Sequence, residues 1–237
     1  MTTNLAIHRR DRAGERVDRF VVNHPPDRTL LDVLRALAAA PVTSDGRTVA
    51  PVVFEDACAG PLCGSCALSV DGWPAMACRV RVGDLGSQAV LGPLPGFPVV
   101  ADLLVDRGAV GRALVDARAW LELDGWAGPE ASPWSAQAAQ HAQSAHACTA
   151  CGACQGACPA MGSRSPYRGP LVMAAWELLD STPTGRLQTG VRRALAASDG
   201  GIADCGHARV CRDVCPQRLP MGELLGSLSA GVMRGRE

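Results

Sequence analysis

Eleven cysteines carry most of the chemistry available to this 237-residue chain. Most of them stand in short groups, which brings several sulfur atoms into one loop. Thiolates bind soft metal ions and iron–sulfur clusters, so the grouping indicates metal centres. Disulfides are a poor alternative, because eleven is an odd number and because we expect the chain to stay in the cytoplasm, where thiols remain reduced.

The first group contains four cysteines: Cys58, Cys63, Cys66 and Cys78. Its spacing begins C-x4-C-x2-C, which is typical of a plant-type 2Fe-2S cluster, whose two irons need four thiolates. Gly60, Gly64 and Ser65 are small, so backbone amides can approach the sulfurs and donate hydrogen bonds that raise the reduction potential. A zinc ion could use the same four thiolates, but structural zinc sites favour two closely spaced pairs of ligands.

The other cysteines form two copies of one pattern. The first copy contains Cys148, Cys151, Cys154 and Cys158. It reads C-x2-C-x2-C-x3-C with Pro159 next, which is the run found in bacterial ferredoxins. The second copy contains Cys205, Cys211 and Cys215. Its ligand offsets are identical except that Ala208 replaces the second cysteine.

This difference predicts two unlike clusters. In two-cluster ferredoxins the fourth cysteine of each run ligates the other cluster. A 4Fe-4S cluster would therefore bind four thiolates, those of Cys148, Cys151, Cys154 and Cys215. The second cluster would bind only three, those of Cys158, Cys205 and Cys211, and three thiolates suit a 3Fe-4S cluster. A 4Fe-4S cluster whose remaining iron binds water or a carboxylate, from Asp204 or Asp213, is the open alternative.

The elements around these cysteines predict an α+β fold with two domains. Before residue 105 we expect a small mixed sheet, with strands at 5–7, 20–22, 52–54 and 67–70, and one helix that begins after Thr29. From Leu103 onward, apolar residues at helical spacing favour helices, including 171–179 and 191–197. We therefore predict a ferredoxin-type domain at 1–105 and an all-helical domain at 106–237.

Composition argues against nucleic-acid binding and against a membrane-spanning helix. The formal net charge is zero, with 23 basic and 23 acidic residues, which argues against nucleic-acid binding because that needs a basic face. No run of about 18 apolar residues is present, so we expect no membrane-spanning helix. Arg9 and Arg10 are followed by polar residues rather than an apolar stretch, so they do not form a twin-arginine signal.

The combined cysteine pattern resembles that of the iron–sulfur subunits of succinate dehydrogenase and fumarate reductase. Other stretches are similar to the same family: 29–32 looks like its helix start, 93–103 like the segment joining its two domains, and Gly169-Pro170 and Asp180-Ser181 like two of its residue pairs. The resemblance implies a plant-type ferredoxin domain of the β-grasp type followed by a helical, bacterial-ferredoxin-like domain.

The resemblance also implies an electron-transfer role. A partner flavoprotein subunit would bear FAD and interconvert succinate and fumarate. Electrons would then pass through the 2Fe-2S, 4Fe-4S and 3Fe-4S clusters to a quinone in or near a membrane-anchor subunit. No catalytic acid, base or nucleophile is then expected in this chain, because the cofactors carry the chemistry. The chain would lie on the inner face of the cell membrane through its partners.

The quinone side would include residues beside the third cluster. Pro159, Ser163 and His207 are the candidates, although the family places a tryptophan at the position of Ser163 and a histidine at that of Gly206. In the first loop, Ala59 and Pro61 stand where the family has arginine and glycine. These departures leave a rival interpretation open, in which the same architecture serves a flavoenzyme acting on a different substrate. A non-redox zinc protein is a further rival.

Overall fold

The N-terminal part of the chain folds into a mixed sheet covered by one helix. The computed structural model describes residues 2–58, 60–121, 136, 143, 147–162, 164–182 and 185–234. The main strands are β1 (Thr2–Asp11), β2 (Gly14–Asn23), β3 (Ala67–Val70), β4 (Trp73–Met76) and β5 (Gln88–Gly92). They form one sheet in the order β2-β1-β5-β3-β4, in which β1 and β5 are parallel and the other neighbours are antiparallel. The predicted α+β class is thereby confirmed.

Helix α1 (Leu30–Ala39) supplies the other half of this core. Thr29 caps its N-terminus, since its side chain accepts a hydrogen bond from the Asp32 amide while the Asp32 carboxylate accepts one from the Thr29 amide. This capping box satisfies two backbone donors that the first turn leaves free. The helix buries Leu30, Leu31, Val33, Leu34 and Leu37. They pack with strand residues such as Ile7 and Phe20, which are fully buried.

Two sequence predictions about this half are wrong. Residues 52–54 form no strand, because the Val53 amide donates to the Asp102 carboxylate, 2.8 Å away, instead of to a neighbouring strand. Leu103 does not begin a helix. Residues Leu104–Val105 form strand β7, which pairs with β6 (Val99–Ala101), and Leu103 and Val105 are both buried in the sheet core, at the two-residue period of a strand.

The second half contributes helices and short 3-10 turns. The helices whose bounds the structure describes are α2 (Gly108–Asp116), α3 (Ala153–Ala157), α4 (Pro170–Asp180), α5 (Thr189–Ala197), α6 (Val210–Asp213) and α7 (Met221–Arg234). Helix α4 packs against α7 around Trp176, whose indole nitrogen donates to the Ala117 carbonyl at 2.7 Å. A buried ion pair joins Asp180 to Arg192 of α5 at 2.6 Å. None of the described helices is long and apolar enough to cross a bilayer.

The chain divides into two compact units that do not follow chain order strictly. The first unit contains residues 1–107 together with 149–157. The second contains residues 108–148 and 158–237. The segment 149–157, which includes α3, therefore belongs with the sheet although it lies far along the chain. The position of the domain boundary near residue 105 stays a prediction.

Candidate iron–sulfur centres

The first cysteine group lies in one loop and one turn of the first unit. Cys58, Cys63 and Cys66 belong to the loop that leads into β3, and Cys78 follows β4. The antiparallel pairing of β3 with β4 places Ala67 opposite Met76. The Ala77 amide also donates to the Cys66 carbonyl, at 3.1 Å. The hairpin thus brings the last two cysteines of this group together.

The loop is built to stabilise thiolates. A hydrogen bond with the Cys63 side chain, together with bonds from backbone amides of the loop, lowers the pKa of Cys58 to about 7. The Ser65 amide lies 3.4 Å from the Cys63 sulfur, and the Ser65 hydroxyl lies 3.1 Å from it. The same hydroxyl oxygen accepts a hydrogen bond from the Ala57 amide, so its own hydrogen can point at the sulfur. The thiolate is the form of cysteine that binds metal.

Cys66 and Cys78 have a less polar environment. Cys66 is buried. Burial of Cys78 raises the pKa of this second thiol to about 12, and the hydrogen bond and charge of the neighbouring Cys66 side chain add to the shift. The Cys78 thiol therefore resists ionisation, because burial and a neighbouring sulfur both disfavour its charged form. A bound metal centre would offset this penalty by supplying positive charge, so the environment of Cys78 is suited to a metal ligand.

Gly64 lets the segment 149–157 approach this loop closely. Its φ angle is +77°, and a Cβ atom added there would lie 2.8 Å from the Cβ of Cys151 and 2.9 Å from the Thr149 carbonyl oxygen. Gly152 and Gly156 make similar close approaches, to Phe97 and to the Pro95 carbonyl. The segment with Thr149 and Cys151 is therefore packed on the first cluster loop, a contact that the sequence did not reveal.

The cysteines predicted for the third cluster surround a single cavity. Cys158, Cys205 and Cys211 all line it. Burial raises the pKa of Cys158 and of Cys211, and the charges of the other cysteines in the group add to the effect. Ala208 lines the same cavity, at the position where the first run has a cysteine, and contributes no donor atom. Three thiols and one methyl group fit a cluster with three protein-ligated irons.

The two carboxylates considered as a fourth ligand have other partners. Asp204 accepts a hydrogen bond from the Gly200 amide at 2.8 Å. Asp213 is exposed and pairs with Arg212 at 3.0 Å. Neither residue is among those lining the cavity.

The four cysteines predicted for the 4Fe-4S cluster are divided between the two units. Cys151 and Cys154 belong to the first unit, and Cys148 and Cys215 to the second. The Leu219 amide lies 3.4 Å from the Cys215 sulfur and donates to it. This ligand set stays a prediction. Within the part of the chain that the structure describes, no three His, Cys, Asp or Glu side chains converge closely enough to hold a single metal ion.

Two of the three residues predicted for the quinone side lie together. Pro159 and His207 line the same cavity as the three cysteines, and both are exposed. Ser163 lies outside the described residues. A larger cleft of about 530 Å³ adjoins, lined by Cys205, His207, Arg209 and residues of α7. Tyr167 also lines the cysteine cavity, which the sequence analysis did not predict. Tyr167 belongs to no cysteine motif, and the one signal in the sequence is that it is the only tyrosine of the chain.

Comparison with known families supports the assignment of the first centre. Residues 4–112 match the family described as the 2Fe-2S iron–sulfur cluster binding domain. The match covers both the C-x4-C-x2-C loop and Cys78.

Comparison with individual proteins extends over nearly the whole chain. The succinate dehydrogenase iron–sulfur subunit of Bacillus subtilis is 29% identical over 232 residues, which cover 96% of this chain and 91% of that protein. The fumarate reductase iron–sulfur subunit of Haemophilus influenzae is 28% identical over 180 residues, 70% of this chain and 69% of its own length. Among solved structures, a chain of the Mycobacterium smegmatis Sdh1 complex superposes with a TM-score of 0.82 at 22% identity, covering 99% of this chain and 96% of its own.

Proposed function

The chain is a homologue of the iron–sulfur subunits of succinate dehydrogenases and fumarate reductases, and we propose that it is the electron-transfer subunit of such a complex. The observation that carries the proposal is the cavity lined by Cys158, Cys205 and Cys211 with Ala208 as a fourth, donor-free neighbour. This cavity agrees with the difference between the two cysteine runs of the sequence. A three-thiolate site next to a four-cysteine run is unusual for zinc and suits an electron relay with unlike clusters.

The chain would hold three clusters. A 2Fe-2S cluster is bound by Cys58, Cys63, Cys66 and Cys78. A 4Fe-4S cluster is bound by Cys148, Cys151, Cys154 and Cys215. A 3Fe-4S cluster is bound by Cys158, Cys205 and Cys211. When bound, these clusters supply sites that accept and release single electrons.

The residues of this chain position and tune those sites. The Ser65 amide and hydroxyl next to the Cys63 sulfur stabilise negative charge there and so raise the reduction potential of the first centre. The Leu219 amide does the same at Cys215. Gly64 permits the close packing of Cys151 on the first loop, which keeps two ligand loops at short range. The second unit would have the helical, bacterial-ferredoxin-like arrangement.

Substrate chemistry would take place on a partner. A flavoprotein subunit carrying FAD would interconvert succinate and fumarate, so this chain is part of an oxidoreductase without providing a catalytic acid or base. Membrane-anchor subunits would attach the complex to the inner face of the cell membrane. A flavoenzyme with a different substrate is not favoured as the partner, because the matched relatives are named as succinate dehydrogenase and fumarate reductase subunits.

A quinone would exchange electrons at the third cluster. Pro159 and His207 line the cavity of that cluster, and the adjoining cleft of about 530 Å³ is within the size range of small-molecule sites. His207 and Arg209 supply polar groups at its rim that could hydrogen-bond quinone oxygens. Ser163 is the third candidate residue.

The first test is isolation of the intact complex with its flavoprotein, followed by a succinate:quinone assay and iron analysis. We expect quinone-dependent succinate oxidation or fumarate reduction, about nine iron atoms per chain and little zinc. Stoichiometric zinc without iron would contradict the proposal.

The second test addresses the quinone side. His207→Ala should slow turnover with quinone more than turnover with an artificial acceptor that takes electrons upstream. His8→Ala is the matched control, because His8 is an exposed histidine of β1 in the other unit. Equal effects of His207→Ala on both assays would remove His207 from the quinone site.

A further inference from the structure

Tyr167 is a buried phenol at the third cysteine cavity. Its side chain is 4% exposed, and its ring packs in the second unit beside Trp176, Val172 and Ile202. It lines the same cavity as Cys158, Cys205 and Cys211. The ring alone would be explained by core packing, since aromatic side chains dominate the energetics of protein cores.

The hydroxyl of Tyr167 is not explained by packing. It is buried, and it has no hydrogen-bond partner with acceptable geometry among the described residues. Buried polar groups are almost always paired, because an unpaired one loses its hydration without compensation. An unpaired hydroxyl on a wall shared with three cluster ligands therefore points to an acceptor that a bound cluster would provide.

The surroundings identify that acceptor as sulfur. Cys158, Cys205 and Cys211 line the cavity together with Tyr167. Cys205 is the cysteine that interacts most strongly with the phenol, although its sulfur does not meet the geometry of a regular hydrogen bond. A tyrosine phenol has an ordinary pKa of about 10, so at neutral pH it carries a proton that it can donate. Sulfur ligands and cluster sulfides are the acceptors such a donor would meet.

We propose that the Tyr167 hydroxyl donates a hydrogen bond to the cluster held by Cys158, Cys205 and Cys211, at the Cys205 sulfur or an adjacent sulfide, and thereby raises its reduction potential. A donor stabilises the more negative, reduced state of a cluster more than the oxidised state. Tyr167 is a tuning residue, since it binds no iron. The inference rests on the proposed function, because it assumes that this cavity holds a 3Fe-4S cluster.

The test measures the midpoint potential of the 3Fe-4S centre by redox titration of its oxidised EPR signal, in the full chain loaded with clusters. Tyr167→Phe removes only the hydroxyl and should lower the potential. Because Tyr167 is the only tyrosine, growth with 3-fluorotyrosine labels this position alone. The fluorinated phenol is more acidic and a stronger donor, so it should shift the potential in the opposite direction, upward.

Thr189→Val is the matched control. The Thr189 hydroxyl is also buried and has no partner within the described part of the chain, but Thr189 is not among the residues lining the cavity. Its removal should leave the potential unchanged.

Several outcomes would overturn the inference. An intact EPR signal with the same potential in Tyr167→Phe as in the wild type would do so, and so would a fall in potential with 3-fluorotyrosine. Should Tyr167→Phe fail to retain the cluster, the fluorinated protein decides alone, since it keeps both the ring and the hydroxyl. A wild-type protein without any oxidised 3Fe-4S signal would instead defeat the proposed function itself.

Discussion

Replacing Gly64 by alanine tests whether the segment 149–157 packs on the first cluster loop. Two costs combine at this position. The backbone has a φ of +77°, a left-handed conformation that costs a residue with a Cβ atom about 1–2 kcal/mol. The new methyl group would also lie 2.8 Å from the Cys151 Cβ and 2.9 Å from the Thr149 carbonyl oxygen. Overpacking of this kind costs about 1–3 kcal/mol.

Gly46→Ala separates the two costs. Gly46 has nearly the same backbone angle, +82°, but nothing lies within 4 Å of an added Cβ atom. The free energy of unfolding of Gly46→Ala should fall only by the cost of the backbone angle, about 1–2 kcal/mol. That of Gly64→Ala should fall by about 2–5 kcal/mol in total. The difference in free energy of unfolding between the two variants measures the steric cost of the contact with Cys151 and Thr149, because the cost of the backbone angle is common to both.

The assay is anaerobic guanidinium unfolding of the full chain, followed by far-UV circular dichroism, for the wild type and both variants. Midpoint and slope together give the change in the free energy of unfolding. We expect Gly64→Ala to be the less stable variant by about 1–3 kcal/mol, with the oxidised 3Fe-4S signal retained. Equal destabilisation by the two substitutions would refute the packing of 149–157 on this loop.

Three further predictions concern single side chains. Cys63→Ala should abolish the EPR signal of the 2Fe-2S centre and spare the other two, because Cys63 is predicted to ligate that cluster alone; loss of all three signals would show that the centres do not assemble independently. Ala208→Cys should convert the 3Fe-4S centre to 4Fe-4S, so that the oxidised EPR signal disappears while iron content rises by about one; a signal that survives would mean that the new thiol does not reach the cluster. Thr29→Ala should lower the free energy of unfolding by about 1 kcal/mol, measured by the same guanidinium titration; no change would show that the capping box of α1 contributes nothing.

The local features of this chain could be read from sequence because their causes are local. The cap at Thr29 and the buried face of α1 depend on residues within one or two turns. Cysteine spacing is local in the same sense, since a loop of fixed length limits where its sulfurs can lie.

The features that sequence could not predict depend on distant partners. Residues 52–54 look like a strand, but the partner of the Val53 amide is the Asp102 side chain, about 50 residues away. Leu104 looks helical, yet the short strand it begins pairs with β6. No local pattern in 149–157 reveals that this segment packs against Gly64. The position of Tyr167 at a candidate cluster site likewise depends on cysteines from other segments of the chain.

The membership of 149–157 in the first unit has a consequence for synthesis on the ribosome. The sheet and α1 are complete once residue 107 has been made, but this unit still lacks a piece that is encoded about 50 residues later. At a translation rate of about 5–20 residues per second, several seconds pass before that piece emerges. During this interval Gly64 and its neighbours in the first cluster loop have no cover from Thr149 and Cys151. During synthesis the loop would therefore be accessible for insertion of iron and sulfide, and the packing of 149–157 would end this accessibility.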